Sequence, residues 1–109
     1  MVADALTLSS LARNGTRVVF VSGELDMATA PTLAGYLAEL DGAQVILDLW
    51  DLTFVDSSGI HVIVEAHKRL EGADRRLTIR WARGTALRVF EALKLDEVLH
   101  FDRTSRSSG

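Results

Sequence analysis

The sequence predicts an α/β fold: a mixed β-sheet of four to five strands with amphipathic helices packed on it. Three observations carry this reading. Strand-like apolar runs alternate with segments whose apolar residues recur at helical spacing, in the order β, β, α, β, α, β, α and a short final β. The pair Asn14-Gly15 lies between the first two runs, and Asn-Gly is the preferred centre of a tight hairpin because both residues of a type I′ turn need positive φ. The later strands are separated by helical segments, which act as right-handed crossovers between parallel neighbours. An antiparallel hairpin followed by such crossovers makes a mixed sheet.

Each element has its own residues. Leu6 and Leu8 alternate with polar neighbours, and residues 17–21, Arg-Val-Val-Phe-Val, form the return strand of the hairpin. Gly23-Glu24-Leu25-Asp26 leads to Thr29-Ala30-Pro31, where threonine is placed to cap a helix and proline fits its first turn. Leu33, Tyr36, Leu37 and Leu40 then give that helix one buried face. After Asp41-Gly42, residues 45–50 read as a buried strand, and residues 51–55 carry the chain to Asp56-Ser57-Ser58-Gly59. Ile60, Ile63, Val64, His67 and Leu70 mark the next helix, with Lys68 and Arg69 suited to its last turn and Gly72 placed to end it. Residues 76–81 alternate as a strand with one wet face, and Trp50 and Trp81 are expected as core aromatics on neighbouring strands. A third helix near Thr85 to Lys94 carries Ala86, Leu87, Phe90 and Leu93 as its stripe, and residues 98–101 can add a final strand.

Whole-chain properties bound the function. At 109 residues a single domain is expected, spanning residues 1–101, with a serine- and arginine-rich tail at 102–109 expected to be disordered. The chain has no cysteine, which excludes disulfides and thiolate zinc sites. No apolar run approaches the roughly 20 residues of a membrane span, and no signal peptide is recognised, so the cytoplasm is the expected compartment. The net charge of −3 conceals an asymmetry: residues 1–67 carry 2 basic and 9 acidic side chains, a net −7, whereas residues 68–109 carry 10 basic and 6 acidic, a net +4. Glu24, Asp26, Asp48, Asp51 and Asp56 share the acidic half with the serines. A basic partner surface suits that half, and ordinary solvated charge is the plain alternative. The arginines are interspersed with acids and few aromatics, so direct nucleic-acid binding is not expected.

The junction at residues 56–59 is the most informative stretch. A strand ends and a helix begins there, so Ser57 or Ser58 can cap the helix by accepting N–H bonds of the first turn. Alternatively, one serine caps while the other presents its hydroxyl to a partner. Gly59 would then let a protein or a nucleotide phosphate approach the backbone. A phosphate is tolerated at a helix N-terminus, yet it adds a charge of about −1.5 to −2 beside Asp56 and would disrupt an interface built around it.

These residues resemble the STAS domain family, and within it the bacterial anti-sigma factor antagonists, or anti-anti-sigma factors. The similarity runs from Gly23-Glu24-Leu25-Asp26 with Thr29-Ala30, through Leu47-Asp48-Leu49 and Val55-Asp56-Ser57-Ser58-Gly59, to Ala86-Leu87-Arg88-Val89-Phe90 and Leu95-Asp96. The resemblance implies that Ser57 is a phosphorylation site and that the partner is an anti-sigma factor with serine kinase activity. Unphosphorylated protein would bind that partner and free a sigma factor, phosphorylation would end the binding, and a phosphatase would reset the cycle. Asp26, Asp56, Ser58 and Gly59 would shape the binding surface. The chain departs from the family pattern at Ile60-His61, where leucine-glycine is common, and His61 becomes a further candidate contact. The alternative within the family is a scaffold or sensor module in which Ser57 is only a cap. An anion-transporter regulatory domain is disfavoured, since the chain holds no membrane segment.

Other chemistries have weaker signals. Ser57, His61 and Asp56 have the residue types of a hydrolytic triad, but they lie too close in sequence to align and there is no Gly-x-Ser-x-Gly elbow. No enzymatic activity is expected. His61, His67 and His100 form no recognisable metal set, although His67 can approach Glu71 at i+4. No cofactor, phosphate-binding loop or metal site is expected. An open sheet edge allows a monomer or a weak dimer.

Overall fold

A computed structural model describes residues 5–104 and 106. Strand β1 (Leu6–Arg13) and strand β2 (Thr16–Leu25) form the hairpin. Asn14 and Gly15 take φ of 49° and 82°, and Arg13 pairs directly with Thr16, as the Asn-Gly pair requires. Helix α1 (Ala30–Glu39) buries Ala30, Leu33 and Leu37. Strands β3 (Gln44–Asp48) and β4 (Leu52–Val55) precede helix α2 (Ser57–Gly72). Strand β5 (Arg76–Arg80), helix α3 (Gly84–Ala92), a 3-10 turn at Leu95–Glu97 and strand β6 (His100–Asp102) complete the described chain.

The sheet runs β1-β2-β3-β5-β6, with β4 also pairing with β2. Only the β1–β2 pair is antiparallel; the others are parallel. Six strands therefore occupy five positions, because β3 pairs with Thr16–Phe20 of β2 and β4 continues along Gly23–Leu25. After the hairpin, each crossover steps in the same direction across the sheet, so right-handed connections put their helices on one face. The core agrees: Val19, Leu47 and Ile79 stand in register and are fully buried, as are Val21, Val45, Leu77 and Phe90 of α3. Leu11, Val18, Phe20 and Ile46 line a groove on the opposite face.

Several expected boundaries move for local reasons. β3 stops at Asp48, and a turn closed by the Leu52 N–H donating to the Leu49 carbonyl (3.1 Å) takes Trp50 out of the strand. Trp81 follows β5 with φ of 62°, a left-handed residue that ends the strand. Both tryptophans are half-buried at the ends of their strands rather than in the core. The Arg83 guanidinium stacks on Trp50 and that of Arg80 on Trp81, each 4.0 Å from the ring centre. Gly72 is the last helical residue of α2; the left-handed residue is Asp74 at φ 61°. At the C-terminal end, β6 extends to Asp102 and the Trp81 indole N–H donates to the Thr104 carbonyl at 3.0 Å. The Thr104 hydroxyl and N–H both donate to Asp102, holding its carboxyl below the usual carboxylate range. Ser105 and residues 107–109 of the expected tail lie outside the described residues.

The acidic and basic halves of the sequence interleave in space. Asp48, only 6% exposed, sits directly across from Arg80 in the β3–β5 pair. Its Oδ2 accepts from Arg80 Nε and Nη2 at 3.2 and 3.0 Å, and its Oδ1 accepts from the Trp50 N–H at 3.1 Å. Arg83 stands 3.9 Å from Asp51. Two of the five acids assigned to a partner-facing half thus face arginines of the chain itself. A buried charge deprived of its partner costs about 3–5 kcal/mol, and the Arg80 side chain is 20% exposed, which screens part of this. We predict that Arg80→Ala destabilises the domain by about 2–3 kcal/mol, measured by urea denaturation; a loss below about 0.5 kcal/mol would show that water compensates Asp48.

Candidate functional site

The site forms where β2 and β4 end side by side. Leu25 and Val55 are register partners and both are buried. Immediately beyond, the Asp56 N–H donates to the Leu25 carbonyl at 3.1 Å, extending the pairing one step into the helix start. Asp56 has extended backbone angles, φ −115° and ψ −173°, and its Oδ1 accepts from the Ser58 and Gly59 N–H groups at 2.9 and 3.2 Å. Asp56 is therefore the N-cap of α2, in place of the expected serine cap. Either residue type caps well; the bond to Leu25 fixes which one holds that position.

This shift by one residue changes the meaning of the serines. Ser57 becomes the first residue of α2 and is exposed, and neither cap bond involves its hydroxyl. Ser58 is half-buried beside it. Gly59 is buried against β2: a Cβ there would lie 2.5 Å from Leu25 Cγ and 3.0 Å from the Leu25 carbonyl oxygen. The glycine thus serves the packing of α2 on Leu25, whereas the sequence had pointed to approach by a partner.

Asp26 belongs to the neighbouring β2–α1 loop, which is tied by reciprocal bonds. Its Oδ1 accepts from the N–H groups of Ala28 and Thr29, both at 3.0 Å, while the Thr29 hydroxyl accepts from the Asp26 N–H at 2.9 Å and donates to the Glu24 carbonyl at 2.8 Å. Thr29 occupies the N-cap position of α1 without making a side-chain cap bond, because its hydroxyl is committed to this loop. Asp26 orders the loop from within. His61 is exposed on α2 and faces a groove of about 390 Å³ shared with Ala34 and Ala38 of α1. The Oδ1 of Asp56 is committed to the Ser58 and Gly59 amides at the helix start.

Two residues of this surface escaped the sequence reading. Met27, 77% exposed, sits at the tip of the β2–α1 loop, and Phe54, 42% exposed, lies on β4 two residues before Asp56. Phe54 follows Leu52 at the two-residue period of a strand, which would put both on one face. The structure inserts a bulge: Gly23 pairs with Leu52 and Glu24 with Phe54, leaving Thr53 as the extra residue. Thr53 turns its hydroxyl to the Gly23 carbonyl at 3.0 Å. Leu52 and Val55 consequently both enter the core, and Phe54 is turned outward next to exposed Glu24. Only pairing with β2 reveals this.

The metal reading also changes. His61 lies apart, but the fold brings His67 and Glu71 of α2 together with His100 of β6. Sequence spacing gave no sign of the third member, since β6 reaches α2 only through the sheet.

A cap and a free serine make opposite predictions for stability. Asp56→Ala should cost about 0.5–2 kcal/mol, whereas Ser57→Ala should stay within about 0.5 kcal/mol of wild type. Urea denaturation of both variants checks this, and a larger loss in Ser57→Ala would return the cap to the serine.

The model of the STAS domain family matches residues 8–108. An anti-sigma-B factor antagonist of Listeria monocytogenes is 30% identical over 84 residues, covering 74% of this chain and 74% of that protein. One from Staphylococcus aureus is 32% identical over 85 residues, covering 75% and 79%. The crystal structure of an anti-sigma factor antagonist from Mycobacterium paratuberculosis matches with a TM-score of 0.83 at 28% identity, over 94% of this chain and 90% of that one. With the family model spanning the hairpin, the sheet and the Asp56-capped helix alike, the chain belongs to the STAS domain family.

Proposed function

We propose that this chain is an anti-sigma factor antagonist that binds an anti-sigma factor when Ser57 is unmodified and is released when that partner, acting as a serine kinase, phosphorylates Ser57. The observation that carries the reading is the capping of α2 by Asp56, which leaves the Ser57 hydroxyl exposed at the start of the helix. The helix N-terminus tolerates the phosphate locally. At an interface the same phosphate places about −1.5 to −2 charges beside Asp56, where they must be desolvated next to a like charge. The names of the Listeria and Staphylococcus relatives support the same role.

Met27 and Phe54 supply the apolar anchors of the proposed contact, flanked by Asp26, Asp56, Ser58 and Glu24, with His61 at its margin. Exposed apolar residues beside a polar rim are the composition of a docking patch. The chain would act by binding rather than catalysis, within the cytoplasm, where transcription is regulated, and a phosphatase would restore the binding form. Direct contact with nucleic acid has no part in this role. Among the described residues no helix is long and apolar enough to cross a membrane.

The decisive experiment incubates the protein with ATP and the anti-sigma kinases of its source genome, locates phosphate by mass spectrometry and measures the complex before and after. Phosphate on Ser57 with loss of the complex is expected. In the same assay Ser57→Ala should bind normally and resist release, while Ser57→Asp should weaken binding about a hundredfold or more, as an uncompensated interfacial charge does. Equal affinity of wild type and Ser57→Asp would refute the switch. Phe54→Ala should weaken the complex at least about fivefold, the effect of losing an anchor worth about 1 kcal/mol, in a variant that a urea transition shows to be folded; unchanged affinity would place the contact elsewhere.

A further inference from the structure

At the other end of α2, two imidazoles and a carboxylate converge. His67 and Glu71 are four residues apart and share one helix face, and His100 opens the adjacent strand β6. One ligand atom from each residue lies within 4.8 Å of the others. Glu71 Oε2 and His100 Nε2 are 3.3 Å apart, and the two histidine rings meet edge-on with centres 5.5 Å apart. The Nδ1 of His67 is buried and has no hydrogen-bond partner among the described residues. Buried polar atoms are rarely left in that state, and each such case calls for a bonding partner.

We propose that His67, Glu71 and His100 form a binding site for one divalent transition-metal ion of the zinc class. Two imidazole nitrogens and one carboxylate oxygen are the donor set such borderline ions accept, whereas magnesium and calcium require mostly oxygen ligands. Bonds of about 2.1 Å in a tetrahedral arrangement place ligand atoms about 3.4 Å apart. Glu71 and His100 already stand at that spacing, and the 4.8 Å outer limit closes by side-chain rotation of groups that are exposed or half-buried. Three protein ligands leave the fourth position to water or to an outside donor. The ion would tie the C-terminal half of α2 to the sheet. Along the helix the site lies about 15 Å from Ser57, at 1.5 Å per residue, so its occupancy can be read independently of any partner.

The test uses the untagged full chain stripped with chelator, titrated with zinc chloride in a calorimeter and with cobalt chloride by visible absorption. One ion per chain is expected, with a cobalt spectrum of nitrogen–oxygen coordination and a zinc-dependent rise in Tm. His100→Ala and Glu71→Gln should each weaken zinc at least about tenfold, while His61→Ala should leave it unchanged. Both ligand variants replace partly exposed side chains, and their metal-free Tm shows whether they are folded. Absence of saturable one-to-one binding, or binding that survives in both folded ligand variants, would overturn the site.

Discussion

The approach of α2 to the end of β2, where Gly59 lies against Leu25, sets the position of the candidate site around Asp56. Leu25 is fully buried and offers its carbonyl to the Asp56 N–H, while its side chain and backbone fill the space where a Cβ at residue 59 would stand. A helix docked this closely has little freedom to rotate, so the cap, the exposed Ser57 and the half-buried Ser58 have fixed directions. The Asp26 loop starts one residue after the same Leu25 and is cross-tied to Thr29. Two loops distant in sequence thus share one anchor, which is why they present a common surface.

The sheet reinforces this geometry. Placing β3 and β4 in tandem along a single strand gives β2 a long parallel edge, interrupted by a bulge where the candidate site begins. The regular part carries the buried ladder of valines, leucines and isoleucines; the irregular part turns Phe54 outward. The stepwise strand order keeps the crossover helices together on the core face, so the N-terminus of α2 emerges at the strand ends beside the β2–α1 loop. The irregular part also feeds the core, since Leu25, Leu52 and Val55 are buried there while Phe54 faces outward.

How much of this was legible depended on whether the signal was local. The Asn14-Gly15 turn, the Leu33 and Leu37 stripe of α1 and the alternation through Leu77 and Ile79 are set by neighbours in sequence, and all appear where expected. The junction at residues 56–59 was recognisable, but not its cap: aspartate and serine both satisfy a helix start, and a hydrogen bond to Leu25 on β2, distant in sequence, decides between them. Phe54 was hidden by a bulge that exists only in pairing, and the two tryptophans by strands that stop one or two residues early. The i+4 spacing showed that His67 can approach Glu71, but the addition of His100 depends on β6 joining the sheet beside α2 and leaves no trace in spacing. The pairing of Asp48 and Asp51 with arginines late in the chain was hidden for the same reason, since halves of a sequence need not be halves in space.

The capping of α2 by Asp56 has a consequence for the life of the protein in a cell. Turnover by proteases follows the population of transiently opened chains when reclosing is fast, and that population depends on the free energy of folding. A hydroxyl that takes no part in the cap contributes little to that free energy. Chemistry confined to Ser57 would then be visible to a binding partner while remaining nearly invisible to the machinery that removes unstable chains. Under the proposed switch, abundance and activity would be set separately.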